Sequence, residues 1–584
     1  MASEVPVLPR EPSSTWSDDP KDNLERVASG TKELPSPALV HDHKRQPAWK
    51  RLLTGDANGE YETHRGMGGR HIMMIAIGGT IGTGIFLSAG SAVSLAGPGS
   101  ALLSYFVVGL FCYAVVISLG EMASYIPISG TFAGFATRFV SPALGFTLGW
   151  NYWLQCELLS AAIILQYWTP KLQPWAWSLI IIVPIFAMQL IHVRVYGESE
   201  YWFALIKVIL IVLFIIVGLI YDWGGVIHHP GPGLANFHDG QAFIGGFAAF
   251  AQTFVWAFYS YGGVELVSLA AGETAKPHKT IPRAIKATFF RIVLFYILTM
   301  LTIGLCINHT DPTLLSSSDD SDVAASPITV VFQRAGFGAA VHVVNAVLLT
   351  AVLSATNSCF YASSRMLLAL ARQGHAPRVF GWVNRRGVPV PALLLSLGIS
   401  FLTFLTTIWG EGVVFTWLLN LVGISALLVW GSIGIISIRF RLAWNAQGRS
   451  LTDLPYVQPL FPVLPVGTVI LASLMFAANG WAAVKGGDFD PRNVVATYIG
   501  VVLYAILYAG YTIWQRFFLA PALRPETHFV PLFQVDLDTD AVWRKGEGVL
   551  VREREREEKE RKIQEEGGRF GLAWWLRKVG KNVY

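Results

Sequence analysis

Twelve long apolar stretches dominate the middle of this 584-residue chain and limit what it can fold into. They cover residues 71–95, 101–125, 143–167, 174–192, 201–220, 242–271, 287–307, 327–358, 391–408, 411–438, 464–484 and 494–516. A helix needs about 20 apolar residues to cross the roughly 30 Å hydrocarbon core of a bilayer. Charged residues make up only 14% of the chain, whereas soluble proteins carry about 25%. We therefore predict an all-α integral membrane protein with about twelve transmembrane helices. The number of stretches disfavours the alternative, buried helices of a soluble protein.

The basic residues between the stretches are distributed unevenly. Loops on one side carry Arg138, Arg194, Lys276, Lys279, Arg283, Lys286, Arg365, Arg372, Arg378, Arg385, Arg386, Arg439, Arg441 and Arg449. Loops on the other side carry only Lys171, Lys485 and Arg492. Because lysine and arginine are enriched in cytosolic loops of membrane proteins, this pattern predicts that both termini are cytosolic.

Polar segments flank the apolar region on both sides. Residues 1–65 are polar with scattered charges and prolines, and no apolar segment follows Met1. We expect a disordered cytosolic tail there, without a cleaved signal peptide. Residues 66–520 form the predicted transmembrane domain, and residues 521–584 are a predicted cytosolic C-terminal tail. Alternating charges over residues 550–566 indicate a solvated helix or an irregular tail.

The first apolar stretch is interrupted by glycines. In MMIAIGGTIGTGIFLSAG, residues 73–90, glycines at positions 78, 79, 82 and 84 surround Thr80 and Thr83. Each glycine costs a helix interior roughly 1 kcal/mol, so the cluster predicts that the helix unwinds in mid-membrane. Unwound backbone is tolerated there only where it lines a cavity or is buried in protein, and its freed N–H groups suit a carboxylate. Close helix packing through small residues is the alternative.

The sixth stretch is interrupted in a corresponding way. In FVWAFYSYGGVELVSLAAGE, residues 254–273, Gly262 and Gly263 stand near the middle, after the polar segment 259–261 and before Glu265. Paired interruptions five helices apart are typical of transporters built from two inverted repeats, with the binding site between the two breaks. We therefore predict a mid-membrane site between the first and sixth helices.

Five segments carry a family likeness. They are GGTIGTGIFLSAG (78–90), GEMASYIPISGTF (120–132), GWNYW (149–153), GGVELVSLAAGETAKPHKTIPRAI (262–285) and residues 345–393, which begin NAVLLTAVLSATNSCF. Together they resemble the fungal amino-acid permeases of the amino acid–polyamine–organocation superfamily. The resemblance extends over roughly residues 65–520.

The resemblance implies a fold of two intertwined five-helix inverted repeats with broken first and sixth helices, plus two further helices. It also implies uptake of L-amino acids across the plasma membrane by alternating access, driven by the proton gradient, without catalytic residues, cofactor or metal. The partners would be a small amino acid, protons and the lipid bilayer, and not nucleic acid. The residues implied for substrate binding are Thr80, Ile81, Gly82, Thr83, Gly84, Tyr259, Ser260, Tyr261 and Gly262.

The third stretch departs from the family pattern. The resemblance implies about six further residues between Gln155 and Glu157, and their loss would turn the following helix by about 600°, equivalent to about −120°. We expect Glu157 to point away from the position that relatives use. Real divergence, a splice variant and a gene-model error are the open explanations.

Two ionisable residues in the apolar stretches are candidates for proton coupling. An ionisable group in hydrocarbon costs roughly 2.5–3.5 kcal/mol on insertion scales, so each needs an explanation. Lys207 lies inside the fifth stretch, and the resemblance implies that a lysine there takes the place of a sodium ion; a snorkelling lysine is the alternative. With no acidic residue three or four positions away, its expected partners are polar groups on other helices, such as backbone freed by the break at 78–84. Glu265 is either a second coupling group or a buried structural carboxylate.

A sensor, a channel and an enzyme are the alternatives to a transporter. A sensor of external amino acids with the same fold and little transport is the main alternative, although tails of ordinary length favour transport. A channel needs a filter or a polar pore lining, and an enzyme needs a nucleophile–base pair or a metal cluster; the stretches contain neither pattern. The sequence thus predicts a transporter and leaves its preferred amino acid open.

Overall fold

Helices form most of the regular structure of the described chain. The computed structural model describes residues 55–56, 66–79, 81, 84–154, 174–226, 230–315, 326–338, 340–400, 411–485, 491–519 and 527–567. The predicted N-terminal tail, residues 1–65, lies outside these ranges except for residues 55–56. Its predicted disorder and the predicted domain boundaries therefore stay predictions.

The described α-helices are numbered here in chain order. They are α1 Gly69–Met74, α2 Ala89–Tyr125, α3 Thr131–Phe139, α4 Pro142–Trp153, α5 Pro174–Ile191, α6 Val193–Asp222, α7 Gly246–Tyr261, α8 Leu266–Leu269, α9 Pro277–Arg291, α10 Leu298–Cys306, α11 Pro312–Leu315, α12 Pro327–Arg334, α13 Ala340–Arg372, α14 Val390–Ser400, α15 Glu411–Ala446, α16 Val463–Lys485, α17 Pro491–Phe517 and α18 Gly548–Gly567. Segments of π-helix cover Ile75–Gly79, Gly84–Ser88 and Ile292–Ile297. Strands β1 Gly55–Asp56 and β2 Val383–Asn384 pair antiparallel.

Eight described helical segments are long and apolar enough to cross a membrane. They are Ala89–Tyr125, Val193–Asp222, Gly246–Glu273, Pro277–Cys306, His342–Arg372, Gly423–Ala446, Val463–Trp481 and Tyr498–Phe517. The other four predicted spans, the first, third, fourth and ninth, contain the helices α1, α4, α5 and α14. The prediction of an all-α architecture is confirmed, since each of the twelve predicted spans contains helix.

Helix α2 joins the end of the first span to the second span through a bend at Gly97. This residue has φ 83° and ψ 162°, which is not helical, so α2 consists of two helical segments. A Cβ atom at position 97 would lie 2.6 Å from the carbonyl oxygen of Gln241. Glycine is therefore required here both by the backbone conformation and by the close approach of another part of the chain.

The spans differ widely in burial. In the most apolar window of Gly246–Glu273, which is the sixth span, 83% of the residues are buried, against 6% in Tyr498–Phe517, the twelfth span. Aromatic rings pack around the sixth span: Tyr261 stacks on Tyr296 with ring centroids 4.1 Å apart. Trp430 packs edge-to-face nearby against two phenylalanines. The sixth span is thus central, and the twelfth is peripheral with an apolar outer surface.

The C-terminal segment 527–547 packs against helix ends and loops. The Val530 N–H donates to the carbonyl of Val140, and the Val542 N–H donates to the carbonyl of Tyr125, both at 2.9 Å. The segment also buries three apolar side chains, Val535, Leu537 and Trp543. Helix α18 follows it, which confirms the helical alternative for residues 550–566, whereas the packing of 527–547 was not predicted.

Candidate functional site

The first span is broken where its glycines cluster. Helix α1 gives way to π-helical turns over Ile75–Gly79 and Gly84–Ser88, and Ile81 lies between them outside any helix. This confirms the predicted interruption. The segment between α1 and α2 is called the first break below. A Cβ atom at Gly78 would lie 2.7 Å from the Cβ of Ala204 in the fifth span, so small-residue packing operates here as well. Three predicted binding residues lie outside the described residues: Thr80, Gly82 and Thr83.

The sixth span is broken at its paired glycines. Helix α7 ends at Tyr261, and Gly262 has φ −51° and ψ 143°. Gly263 has φ 89°, a conformation that glycine adopts without strain. The helix resumes at Leu266 and continues as a 3₁₀ turn to Glu273. The predicted interruption of the sixth helix is confirmed, and residues 262–265 are called the second break.

The two broken helices touch at Gly84 and Ser260. A Cβ atom at position 84 would lie 2.2 Å from the Cα of Ser260, so the backbones approach as closely as glycine permits. The side-chain oxygen of Ser260 lies 2.7 Å from the hydroxyl of Tyr105, and the Tyr296 hydroxyl donates to the Ser260 carbonyl at 3.0 Å. The polar atoms of this predicted binding residue are therefore held by the second and seventh spans in this conformation.

The other predicted binding residues of the sixth span lie around the second break. Tyr261 is fully buried, and its hydroxyl donates to the carbonyl of Tyr105 at 3.1 Å. Its ring stacks on Tyr296, so this side chain supports the packing of three spans. Tyr259 is buried, and its carbonyl accepts a hydrogen bond from the N–H of Gly262 at 3.3 Å. The predicted residues thus cluster at the break, with Tyr261 directed into the packed interior.

Lys207 lies fully buried beside the first break. Its Nζ donates to the Ile81 carbonyl at 2.8 Å and to the Ser354 Oγ at 2.9 Å. In a continuous helix the Ile81 carbonyl would accept from an N–H of the next turn. It belongs to the freed backbone in which the partner of this lysine was predicted.

A buried carboxylate that the sequence interpretation missed completes this cluster. Glu200 Oε2 accepts from the Ser354 hydroxyl at 2.7 Å, and Oε1 accepts from Asn357 Nδ2 at 3.0 Å. Asn357 Oδ1 in turn accepts from Gln189 Nε2 in the fourth span at 2.8 Å. Glu200 precedes Lys207 by seven residues, which is about two helical turns. A search limited to neighbours three or four positions away overlooks this residue, although it lies on the same helix face.

A second buried cation also binds the first break. Arg291 is fully buried, and its Nη1 donates to the carbonyl of Ala76 at 2.9 Å. It lies in the seventh span, where α9 gives way to the π-helical segment Ile292–Ile297. Its position inside the predicted span 287–307 was the available signal, because a charge at that depth needs a partner.

Glu265 lies at the second break and binds its backbone. The Gly263 N–H donates to Oε1 at 3.2 Å, and Trp430 Nε1 donates to Oε2 at 3.3 Å. The hydroxyl of Tyr152 also forms a hydrogen bond with this carboxylate. Glu265 therefore links the third, sixth and tenth spans, an arrangement that favours the structural alternative over proton coupling.

Two further buried ion pairs connect helices away from the breaks. Arg365 Nε lies 3.2 Å from Glu273 Oε1, and the Tyr361 hydroxyl donates to the other carboxylate oxygen at 2.7 Å. Arg441 Nη2 lies 2.5 Å from Glu121 Oε1. These pairs join the sixth span to the eighth and the second span to the tenth.

Glu157 falls in residues 155–173, which are outside the described residues, so its predicted displacement stays a prediction. In the part of the chain that the structure describes, no three His, Cys, Asp or Glu side chains are grouped as metal ligands. What the described site offers is charge and main-chain hydrogen bonding at two broken helices.

Comparisons with known proteins show which proteins this chain resembles over the membrane domain. The family described as "Amino acid permease" matches residues 71–523. The lysine-specific permease LysP of Escherichia coli (strain K12) is 44% identical over 449 residues, covering 76% of this chain and 92% of LysP. The histidine permease HisP of Lactococcus lactis subsp. cremoris (strain MG1363) is 40% identical over 486 residues, with 82% and 99% covered. The general amino-acid permease GAP1 of Saccharomyces cerevisiae (strain ATCC 204508 / S288c) is 38% identical over 489 residues, with 80% and 79% covered.

Proposed function

We infer that this chain, which belongs to the amino acid permease family, is a proton-coupled importer of L-amino acids. Family membership makes it a multi-pass membrane protein that transports amino acids, and not an enzyme. Proton coupling, alternating access and location in the plasma membrane are the finer parts of our proposal.

The observation that carries proton coupling is the contact between Lys207 and the first break. A protonated lysine donates a charge-assisted hydrogen bond to the Ile81 carbonyl, which is stronger than a bond between neutral groups. Protonated Lys207 thus holds the broken helix against the fifth span, as a bound cation would. Loss of the proton weakens that contact and frees the first helix to shift, which gives alternating access its dependence on protons.

We propose that the substrate binds between the two breaks. Its carboxylate would meet backbone N–H groups at Thr80, Ile81, Gly82, Thr83 and Gly84, and its amino group would meet carbonyls of residues 259–262. The proposal is supported by the interruption of both helices, because each interruption leaves main-chain polar groups without helical partners. Binding at the Ser260 carbonyl would require exchange of its bond with Tyr296.

The proposed orientation follows from the basic loops. Lysine and arginine concentrate on one side of the membrane domain, so both termini and loops 273–286 and 359–390 are proposed to be cytosolic. Impermeant reagents applied to intact cells should label single cysteines placed in loop 308–326 and leave those in loop 273–286 unlabelled. The opposite labelling would reverse the orientation.

Uptake by a permease-deficient cell tests the transport proposal. Radiolabelled lysine and histidine come first in the panel, because two relatives are named for these amino acids, followed by neutral and acidic amino acids. We expect accumulation above the external concentration, faster at acidic external pH and abolished by a protonophore. Equilibration without accumulation would contradict proton coupling. Binding without uptake would favour the sensor alternative.

A further inference from the structure

We propose that Glu200 receives the proton that Lys207 releases, through the hydroxyl of Ser354. The proposal rests on the proposed proton coupling and adds a route that the proton takes. It concerns three buried side chains on two spans: Glu200 and Lys207 on α6, and Ser354 on α13.

The hydrogen bonds among these side chains run in one direction. Ser354 Oγ lies 2.9 Å from Lys207 Nζ and 2.7 Å from Glu200 Oε2. A lysine ammonium donates and does not accept, whereas a hydroxyl has a single hydrogen to donate. Ser354 therefore accepts from Lys207 and donates to Glu200, so the bonds lead from the ammonium to the carboxylate.

This arrangement permits a balanced proton transfer. One Nζ–H bond of Lys207 breaks and its proton forms an O–H bond with Ser354 Oγ, while the original hydroxyl proton of Ser354 moves to Glu200 Oε2. Lys207 becomes a neutral amine, Glu200 becomes a neutral carboxylic acid, and Ser354 is unchanged. The net charge of the pair is zero before and after, so the transfer leaves no isolated charge buried, which would be strongly unfavourable.

The position of Glu200 gives the transfer a direction across the membrane. Glu200 lies about 10 Å closer than Lys207 to the N-terminal end of α6, by the helix rise of about 1.5 Å per residue. The basic-loop pattern predicts that this end, which carries Arg194, is cytosolic. Asn357 fixes the carboxylate from the eighth span, and Gln189 fixes Asn357 from the fourth. The proton acceptor is thus held on the cytosolic side of the proposed coupling lysine.

The other charges near Glu200 have partners of their own. Helix α13, which packs against α6, contributes Arg365, and this residue pairs with Glu273 beside Tyr361. Helix α1 contributes Arg70 and His71, which bind Glu198. On α6 itself, Tyr196 lies one turn before Glu200, and its ring stacks on Tyr361. Its hydroxyl lies 3.3 Å from Ser358 Oγ, and Ser358 also forms a hydrogen bond with Glu200. Within the described residues, Lys207 is the cation that shares a hydrogen-bond partner with Glu200.

Four single variants test the route in permease-deficient cells. Glu200→Gln removes the acceptor charge, and Ser354→Ala removes the connecting hydroxyl with a smaller change in volume. Ser354→Thr keeps a hydroxyl. Glu198→Gln is the matched control, because Glu198 lies two residues away with its side chain 43% exposed and paired with Arg70 and His71. Uptake of radiolabelled lysine, or of the panel amino acid taken up fastest by the unaltered protein, is measured at acidic and neutral external pH and divided by the surface level of each variant.

The expected result separates a proton route from a packing role. For Glu200→Gln and Ser354→Ala, the ratio of uptake at acidic to neutral pH should fall from its value in the unaltered protein towards one. Ser354→Thr should recover much of the ratio, and Glu198→Gln should keep it. In a Lys207→Met background, Glu200→Gln should cause no further change in the ratio, because residues of one unit act non-additively.

Defined outcomes would overturn the proposal. If Ser354→Ala and Glu200→Gln lower uptake by the same factor at every pH, the cluster is structural and Glu200 is not the acceptor. Ser354→Ala decides the question should Glu200→Gln fail to reach the surface. If the unaltered protein itself shows no pH-dependent uptake, proton coupling fails, and the proposed route fails with it. If the unaltered protein is pH-dependent and both variants keep that dependence, only the proposed route is wrong.

Discussion

The two breaks are held by groups of opposite charge. At the first break, two buried cations donate to main-chain carbonyls: Lys207 binds the Ile81 carbonyl and Arg291 binds the Ala76 carbonyl. At the second break, the carboxylate of Glu265 accepts from the N–H of Gly263. Both helices are interrupted by glycines, yet the side chains that fix the interruptions differ in sign.

The polarity of the helix ends explains this difference. Lys207 and Arg291 bind carbonyls where the first half of a helix ends, and that end carries partial negative charge. Glu265 lies where the second half of a helix begins at Leu266, an end that carries partial positive charge. Each break is therefore stabilised by the charge that complements its helix end. Among these three residues, Lys207 is the one that is also linked to the carboxylate of Glu200, through the hydroxyl of Ser354.

The largest expected effect comes from Lys207→Met. Without an ammonium at the first break, the protein should reach the membrane but lose both accumulation against a gradient and pH dependence. Surface labelling and uptake at several pH values measure the two properties separately. If the variant concentrates substrate with unchanged pH dependence, the contact of Lys207 with the first break is structural and does not couple protons to transport.

Arg291→Met should have a smaller and different effect. An arginine stays protonated in proteins, so its bond to Ala76 is constant and its loss should lower uptake by a similar factor at every pH. Removing a hydrogen bond to a charged group costs about 1.5–3 kcal/mol of unfolding free energy. Thermal unfolding of the purified protein checks this value, with Arg291→Lys as the control that keeps the charge. A changed pH profile would mean that the two cations act alike.

Glu265→Gln should lower the free energy of unfolding by less than Arg291→Met does, because the new amide oxygen still accepts from the Gly263 N–H. The new amide group faces Trp430 Nε1, so one donor loses its acceptor, at a cost of about 1 kcal/mol. The midpoint of thermal unfolding should fall by about 1 °C, because the entropy of unfolding grows with chain length, and the pH profile of uptake should not change. A flattened pH profile would instead support the interpretation of Glu265 as a second proton-coupling group.

The smallest effect is expected for the partly exposed pair between helix α18 and Lys279. Partial burial by itself raises the pKa of Glu555. The contacts with Lys279 and His278 lower the pKa by more than burial raises it, so it lies below its usual value. The contact should stabilise the packing of α18 at pH values above the unfolded-state pKa of about 4.3 and weaken as pH falls through the folded-state pKa. Glu555→Gln should cost about 0–1 kcal/mol, less at high salt.

Hydrogen exchange of residues 548–567 measures this contact. The difference between Glu555→Gln and the unaltered protein should be small at neutral pH and vanish at acidic pH. A loss comparable to that of Arg291→Met would show that burial is not what distinguishes the groups at the breaks.

The sequence predicted the features that follow from local chain properties. The breaks could be predicted because glycine clusters weaken a helix wherever it lies, and the freed backbone at 78–84 was the expected partner of Lys207. The spans could be predicted because a bilayer demands long apolar helices. These properties depend on residues that are neighbours in the chain.

Features that depend on packing between spans were missed. Ser354 is an ordinary serine in the eighth span until α13 places it between Glu200 and Lys207. The position of Glu200, two helical turns from Lys207, could be predicted from the sequence. Its link to Lys207 could not, because it depends on the hydroxyl of Ser354. The packing of residues 527–547 was missed because polar composition indicates solvent, whereas Trp543 is buried by a contact with the distant loop at Asp453.

That C-terminal packing has a consequence for the order of biosynthesis. Residues 527–547 are synthesised after the twelfth span, so the groups they cover at Tyr125, Val140 and Asp453 gain these contacts only after all the spans have been made. A nascent chain that stops before residue 527 lacks Trp543 and the two main-chain hydrogen bonds from Val530 and Val542. The loop ends at these three positions therefore stay without their C-terminal cover throughout the synthesis of the membrane domain and receive it as a late step of folding.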